Sequence, residues 1–208
     1  MPNITIKEAP EKKDLTEIIY TRRAVRKFKD LPVAQKMIDQ VIDAGRMAPS
    51  AINKQPWRFY VLRNKTKIAS ISRQIAAVAL HGFVHSGVKE MIKAAGHLLH
   101  FSKDFDFSGL SDPVFHGAPV VIFITAPTDN EWAPLDIGMC SQNMMLTAKS
   151  LGLDSCPVGF AKYVDQTKSY PDLKIPGTEK VALAIILGFG DEKPLLHERK
   201  KDNVFYID

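Results

Sequence analysis

Three stretches of the chain have the spacing and composition of β-strands. Residues 57–62 (WRFYVL) alternate in character and are rich in aromatic and branched side chains. Residues 120–125 and 181–188 are apolar at nearly every position. Continuous apolar runs are typical of strands in the middle of a sheet that is covered on both faces, so we expect helices to flank this sheet.

Helical spacing of apolar residues predicts two helices before the first strand. The first would begin at the capping-box pair Asp14 and Glu17 and would reach about residue 22 or 23. The second would begin after Pro32 and end near residues 45–49, because the proline in that stretch disfavours helical geometry at the residue before it.

The later part of the chain predicts a buried central helix. Residues 135–151 are apolar nearly all round, and Gly152 follows as a typical helix stop. Residues 68–80 and 88–101 also have helical spacing. Residues 101–113 have loop composition with three phenylalanines, which would suit a cover over a binding site.

Length and composition limit the class of protein. The chain has 208 residues, which favours one domain spanning 1–208 over two domains joined by a linker. Hydrophobic residues make up 45% and charged residues 25%, which excludes a disordered or fibrous chain. No apolar run approaches the ~20 residues that span a bilayer, and the N-terminal residues lack the apolar stretch of a secretory signal. We therefore expect a cytoplasmic protein without membrane contact.

Positive charge is concentrated in one short segment. The formal net charge is +5, and five of the nine residues of 21–29 (TRRAVRKFK) are arginine or lysine, with no acid among them. Arg22 and Arg26 are four residues apart, so a helical turn would place both on one face. Guanidinium groups make paired hydrogen bonds to phosphate oxygens, so the segment is either a phosphate clamp or a solvated basic face.

Two further stretches combine turn residues with polar groups. Residues 47–57 (MAPSAINKQPW) stand between a helix end and a strand start, where backbone amides and short side chains are free to bind a ligand. In residues 151–160 (LGLDSCPVGF), the piece after the buried helix would be extended, and its amides would need partners such as a planar heterocycle. Taken alone, the first also fits an ordinary loop and the second an ordinary strand edge.

Other common motifs are incomplete. Gly188 and Gly190 follow a strand but lead into DEKP rather than into a helix, unlike a dinucleotide-binding fold. His81 and His85 have zinc-helix spacing, yet Gly82 stands where such a protease needs glutamate, so we expect no metal. The two cysteines lack CxxC spacing, which favours buried thiols. Without a nucleophile, a metal or an acid pair, we expect a bound cofactor to carry the chemistry.

Four segments in order, RRAVRKF, APSAINKQPW, LGLDSCPVGF and ILGFG, resemble the FMN-dependent nitroreductase family over nearly the whole chain. Residues 65–117 resemble it least. The resemblance implies an α+β fold with a central, mainly antiparallel sheet flanked by helices. It also implies an intertwined homodimer with two FMN molecules at the subunit interface, so that neither subunit makes a complete site.

The resemblance assigns FMN contacts to both subunits. From one subunit, Arg22, Arg23, Ala24 and Arg26 would hold the phosphate and ribityl chain, and Pro157, Val158 and Gly159 would lie along the isoalloxazine ring, with the Gly159 amide near N5. From the other, Pro49, Ser50, Ala51 and Asn53 would approach the same flavin, with Gln55 close by. Arg199 and Lys201 match a second pair of phosphate contacts, and residues 203–207 would wrap around the partner subunit.

Some positions depart from the commoner family pattern. Ala24 and Ala51 stand where serine is frequent, and Gly159 occupies a place where other members carry glutamate. Residues 126–134 are too short to hold an inserted covering helix. The candidate lid is therefore formed by Phe101, Phe105 and Phe107.

The implied reaction has two halves. NADH or NADPH would pass hydride to flavin N5 and leave, and a small-molecule acceptor such as a nitroaromatic or a quinone would take its place, which gives ping-pong kinetics. Alternatives that keep FMN are reductive dehalogenation, dehydrogenation and flavin breakdown. A basic nucleic-acid-binding module is a remote alternative, because the excess positive charge is local and no recognition motif is present.

Overall fold

One antiparallel sheet forms the centre of the molecule. The computed structural model describes residues 14–85 and 112–207, the side chains of 82–85 excepted. Within these ranges the strands are β1 (Arg58–Leu62), β2 (Val120–Pro127), β3 (Asp154–Val158) and β4 (Glu179–Gly188). Their order is β1-β2-β4-β3, so the two strands predicted from continuous apolar runs are the central ones.

Helices flank the sheet. The described α-helices are α1 (Leu15–Thr21), α2 (Gln35–Arg46), α3 (Lys65–His85) and α4 (Ala133–Ser150), and short 3-10 helices occupy Ala51–Asn53, Gly159–Gln166 and Tyr170–Leu173. The helices expected within the described ranges are confirmed. The helix expected at 88–101 and the candidate lid lie outside the described residues. None of the described helices is long and apolar enough to cross a membrane.

Side chains of the central strands alternate between two hydrophobic clusters. Val120, Ile122 and Ile124 of β2 pack on the face covered by α2 and α4, whereas Val121 and Phe123 pack on the face covered by α3. Successive residues of a strand point to opposite faces, so a sheet covered on both sides needs apolar residues at every position. The expected α+β class, with a mainly antiparallel sheet between helices, is confirmed.

The basic segment is extended rather than helical. Helix α1 ends before it, and the backbone N–H groups of Val25 and Lys29 donate to the carbonyls of Ser155 and Phe189 at 3.1 and 2.8 Å. The segment therefore lies beside the outer edge of β3, whose free backbone groups it pairs. These long-range hydrogen bonds outweigh the local helical spacing.

Two details of the predicted first helix are consequently wrong. Arg22 and Arg26 do not share a helix face, because α1 ends at Thr21. Asp14 occupies the N-cap of α1, but its side chain forms no capping hydrogen bond. The first turn is closed instead by the Ile18 N–H, which donates to the Asp14 carbonyl at 3.0 Å.

Two glycines at the end of β4 allow neighbouring segments to approach closely. A Cβ at Gly188 would lie 2.7 Å from both Phe28 Cδ1 and Pro119 Cδ, and a Cβ at Gly190 would overlap the Asp154 carboxylate. The GxG pair is therefore a packing feature that lets the basic segment and β3 lie against β4.

Candidate functional site

Arginine side chains cluster at the start of the basic segment. Arg22 is half-buried, and its Nη1 has no hydrogen-bond partner among the described residues. Burial lowers the pKa of Arg22, and the nearby charges of Arg23 and Arg199 lower it further. Arg23 is itself held in place, since its Nη1 donates to the carbonyls of Tyr20 and Arg22 at 2.7 Å each. A buried donor without an acceptor beside like charges favours an anion at this position.

The other end of the basic segment is held by the chain that follows β4. Glu192 Oε1 accepts a hydrogen bond from the Arg26 N–H and, at 3.2 Å, from the Lys27 N–H. The Asp191 N–H donates to the Lys27 carbonyl at 2.8 Å. The segment is thus fixed from both sides, which is the rigidity that a binding site needs.

His116 lies close to the same end of the segment. Burial lowers its pKa, as does the charge of Arg26, while Asp112 and Glu192 act in the opposite direction. Its backbone has a φ of 57°, in the left-handed region. The folded protein therefore disfavours the imidazolium form.

We expect this histidine to make stability depend on pH. The pKa of this histidine is lower in the folded than in the unfolded state, so the unfolded chain binds the proton first as the pH falls. The free energy of unfolding should therefore decrease progressively below about pH 6.5. Urea unfolding of the FMN-free protein between about pH 5 and 7.5 would measure this. His116→Asn, which does not titrate and tolerates a left-handed backbone, should lose less stability on acidification. If the free energy of unfolding depended on pH equally in the two proteins, His116 would not be the group responsible.

Strand β3 ends beside the arginine cluster. Cys156 and Val158 are buried, while Pro157 and Gly159 are exposed. A Cβ at Gly159 would meet no atom within 4 Å, so this position borders open space among the described residues. The extended piece expected here is the last part of an edge strand, and a 3-10 helix begins at Gly159.

Both cysteines are buried free thiols, as expected. Burial raises the pKa of Cys140 to about 12. Burial also raises the pKa of Cys156, although the charges of Arg26 and Arg22 oppose this. Because the thiolate is the reactive form, neither residue is suited to be a nucleophile.

The loop before β1 has an uncommon backbone conformation. Ile52, Asn53 and Gln55 have φ values of 45°, 57° and 45°, in the left-handed region that non-glycine residues rarely adopt. Such residues cost on the order of 1–3 kcal/mol each and persist only where surrounding contacts hold them. Ser50 supplies one contact, since its Oγ accepts the Gln55 N–H at 2.9 Å.

A buried carboxylate on α4 supplies a second contact to this loop. Asp136, in the first turn of α4, is 1% exposed, and its Oδ1 accepts the Ala51 N–H at 3.1 Å. Its Oδ2 has no hydrogen-bond partner among the described residues. The loop is therefore tied to the central helix.

The predicted site residues fall into two groups at opposite edges of the sheet. Residues 22–26, 157–159 and Arg199 lie around β3. Residues 49–55 precede β1 at the other edge, three strand spacings away, which corresponds to roughly 14 Å between the two edge strands. Lys201 lies in the exposed C-terminal stretch without helix or strand. The strand order thus places the two groups beside different edge strands of the sheet.

Sequence reasoning did not place three of the residues described above in the site. Glu192 and His116 reach the basic segment only through tertiary structure, so no local pattern marks them. Asp136 did carry a signal, because it is an acid within an otherwise nearly continuous apolar helix.

The chain is similar to proteins of known type. A family profile described as "Nitroreductase family" matches residues 19–189. A protein of Pseudomonas putida named 4-nitrobenzoate reductase is 31% identical, and the match covers 86% of this chain and 86% of that protein.

Solved structures share the fold. A nitroreductase with bound FMN from Bacteroides fragilis has a TM-score of 0.73 at 23% identity and covers 94% of this chain and 100% of that chain. An FMN- and NADPH-dependent nitroreductase from Sphigopyxis sp. strain HMH has a TM-score of 0.72 at 20% identity. The match covers 94% of this chain and 100% of that chain. The match therefore extends over nearly the whole of each structure.

Proposed function

Because this chain belongs to the nitroreductase family, we propose that it is an FMN-dependent oxidoreductase that transfers hydride from NADH or NADPH to a small-molecule acceptor such as a nitroaromatic or a quinone. The 4-nitrobenzoate reductase supports the nitroaromatic acceptor, and the FMN- and NADPH-dependent neighbour supports the cofactor and the donor. The observation that carries the proposal is the buried Nη1 of Arg22, which has no hydrogen-bond partner among the described residues and lies within a cluster of like charges.

The residues around β3 fit the phosphate end of FMN. An anion there would accept a hydrogen bond from Arg22 Nη1 and would offset the repulsion between Arg22, Arg23 and Arg199. The phosphate and ribityl ligands would be Arg22, Arg23, Ala24 and Arg26, with Arg199 and Lys201 as further cations. Pro157, Val158 and Gly159 would border the ring, where the open space at Gly159 leaves room for a planar group.

Bound FMN would supply two-electron hydride chemistry between the nicotinamide and the acceptor in two separate half-reactions, which predicts ping-pong kinetics. The chain's own residues would bind and orient. The Gly159 N–H would donate near N5, and the arginines would stabilise negative charge. Such transfers depend on positioning and tuned electrostatics more than on a dedicated acid or base.

A second copy of the chain would complete the site. Residues Pro49, Ser50, Ala51, Asn53 and Gln55 lie at the sheet edge away from the arginine cluster, so a partner's loop would have to supply these contacts. Large exposed apolar side chains support such an interface. They include Met47 and Ile52, 76% and 87% exposed, Leu135 of α4, 58% exposed, and the tail residues Val204, Phe205, Tyr206 and Ile207.

Spectroscopy and anaerobic kinetics would test the proposal. We expect purified protein to be yellow, to release FMN on denaturation, and to bleach under anaerobic NADH or NADPH. Colour should return on addition of 4-nitrobenzoate or a quinone, and initial rates should give parallel double-reciprocal lines. A colourless protein that takes up no added FMN would overturn the cofactor assignment. Intersecting lines would overturn the ping-pong mechanism.

A further inference from the structure

Asp136 combines a buried charge with incomplete hydrogen bonding. Its carboxylate is 1% exposed, yet only Oδ1 has a partner, the Ala51 N–H at 3.1 Å, among the described residues. A buried carboxylate with one unpaired oxygen is costly, and an apolar residue of similar size would often be as stable or more so. The position in the first turn of α4, near the positive end of the helix dipole, offsets only part of this cost. The side chain is therefore poorly explained by stability.

The one bond that Asp136 makes reaches the strained loop. The Ala51 N–H precedes the left-handed residues Ile52, Asn53 and Gln55. Within the loop, Ser50 Oγ accepts the Gln55 N–H and Asn53 Oδ1 accepts from Gln55 Nε2 at 3.0 Å, and the Asn53 and Lys54 N–H groups donate to the Ser50 and Ala51 carbonyls at 3.0 Å each; none of these bonds ties the loop to another element. The Asp136 bond is thus a link between a strained conformation and the core of the molecule.

Helix α4 is a rigid base for this link. Asn143, two turns further along α4, donates from Nδ2 to the Ala44 carbonyl at 3.2 Å. A Cβ at Gly45 would lie 2.8 Å from Met144 Cγ, so α2 and α4 pack at close range. The same helix therefore holds the end of α2 and the start of the loop.

We propose that Asp136 is a positioning residue for FMN, acting through the Ala51 N–H to hold the loop of residues 50–55, in which Ile52, Asn53 and Gln55 are left-handed, in the conformation that presents it to the flavin. The role in flavin binding rests on the function proposed above. The anchoring of the loop by Asp136 stands apart from that function and is measurable in the FMN-free protein.

Tryptic cleavage after Lys54 reports on the loop directly. Asp136→Leu keeps the side-chain volume but removes the hydrogen-bond acceptor, and we expect it to fold with unchanged or higher stability. We also expect cleavage after Lys54 to be at least about tenfold faster, because the loss of one charge-assisted hydrogen bond changes an equilibrium by at least that factor. Cleavage after the exposed Lys168, far along the chain, should stay at the wild-type rate. Asp136→Ala gives the same comparison if the leucine variant does not fold.

Asp136→Asn separates positioning from charge. We expect Asp136→Leu also to lower the affinity for FMN. Asparagine retains an oxygen for the Ala51 N–H, so we expect Asp136→Asn to restore the protection of the loop from trypsin and most of that affinity. Ser141→Ala is the matched control, because it removes a buried hydroxyl from the same helix that donates to the Gly138 carbonyl and not to the loop. It should behave as wild type in both measurements.

Three results would decide against these roles. Equal cleavage after Lys54 in wild type and Asp136→Leu would overturn the anchoring. An asparagine variant as impaired as the leucine variant would overturn positioning through the hydrogen bond in favour of charge. A wild-type protein that binds no FMN would overturn the proposed function, and the Lys54 comparison alone would then decide the role of Asp136 in the loop.

Discussion

An Arg22→Met variant is expected to bind FMN roughly 10- to 150-fold more weakly than the wild-type protein, which corresponds to about 1.5–3 kcal/mol for a hydrogen bond to a charged group. Methionine retains an apolar stem where Arg22 is half-buried, so the change removes mainly the guanidinium. Fluorescence titration of FMN-free protein would measure the affinity. The affinity for riboflavin, which lacks the phosphate, should fall far less in this variant.

Two controls sharpen this comparison. Lys36→Met removes one positive charge from an exposed position on α2 and should leave FMN affinity unchanged. Arg22→Lys keeps the charge but loses the forked donor geometry, so an intermediate affinity is expected. If Arg22→Met and wild type bound FMN equally, the phosphate would have to lie elsewhere.

Gly188→Ala is expected to destabilise the protein by about 1–3 kcal/mol, the usual range for overpacking. The added Cβ would lie 2.7 Å from the Phe28 ring and 2.7 Å from the ring of Pro119. A phenylalanine ring can turn aside, whereas a proline ring is fixed to its backbone, so the strands must separate. Denaturant unfolding at one protein concentration would measure the loss.

The matched control for this substitution is Gly177→Ala. Gly177 lies in an exposed turn before β4, and a Cβ there would meet no atom within 4 Å. Its effect should stay within about 0.5 kcal/mol. Equal stability of the Gly188 and Gly177 variants would show that the end of β4 has more room than the contacts imply.

Much of the fold follows from local pattern. The runs at 120–125 and 181–188 predict central strands because a strand covered on both faces must be apolar at every position, and both runs are central. The helix at 135–151 is predicted by an apolar surface with a glycine stop, and Gly152 does adopt a φ of 78°.

The conformation of the basic segment could not be predicted in the same way. Arg22 and Arg26 have helical spacing, but the hydrogen bonds that decide the backbone come from Ser155 and Phe189, more than a hundred residues later. Pairing over such distances leaves no periodic signal in the segment itself.

The candidate site was predictable where chemistry is visible in residue type. The charges of Arg22 and Arg23 mark them as candidates, and the structure adds that Arg22 Nη1 is buried without a hydrogen-bond partner in the described part of the chain. Glu192 and His116 could not be predicted, because they come close to Arg26 only when the chain folds. The assignments of the resemblance to FMN remain predictions until binding is measured.

The span of the bonds around the basic segment has a consequence for biosynthesis. Val25 pairs with Ser155, and Lys27 pairs with Glu192, 165 positions later. On the ribosome the arginines therefore emerge long before the backbone that fixes them, and they stay exposed to any polyanion nearby while the rest is translated. At the proposed phosphate site, FMN would therefore bind only after almost the entire polypeptide has left the exit tunnel.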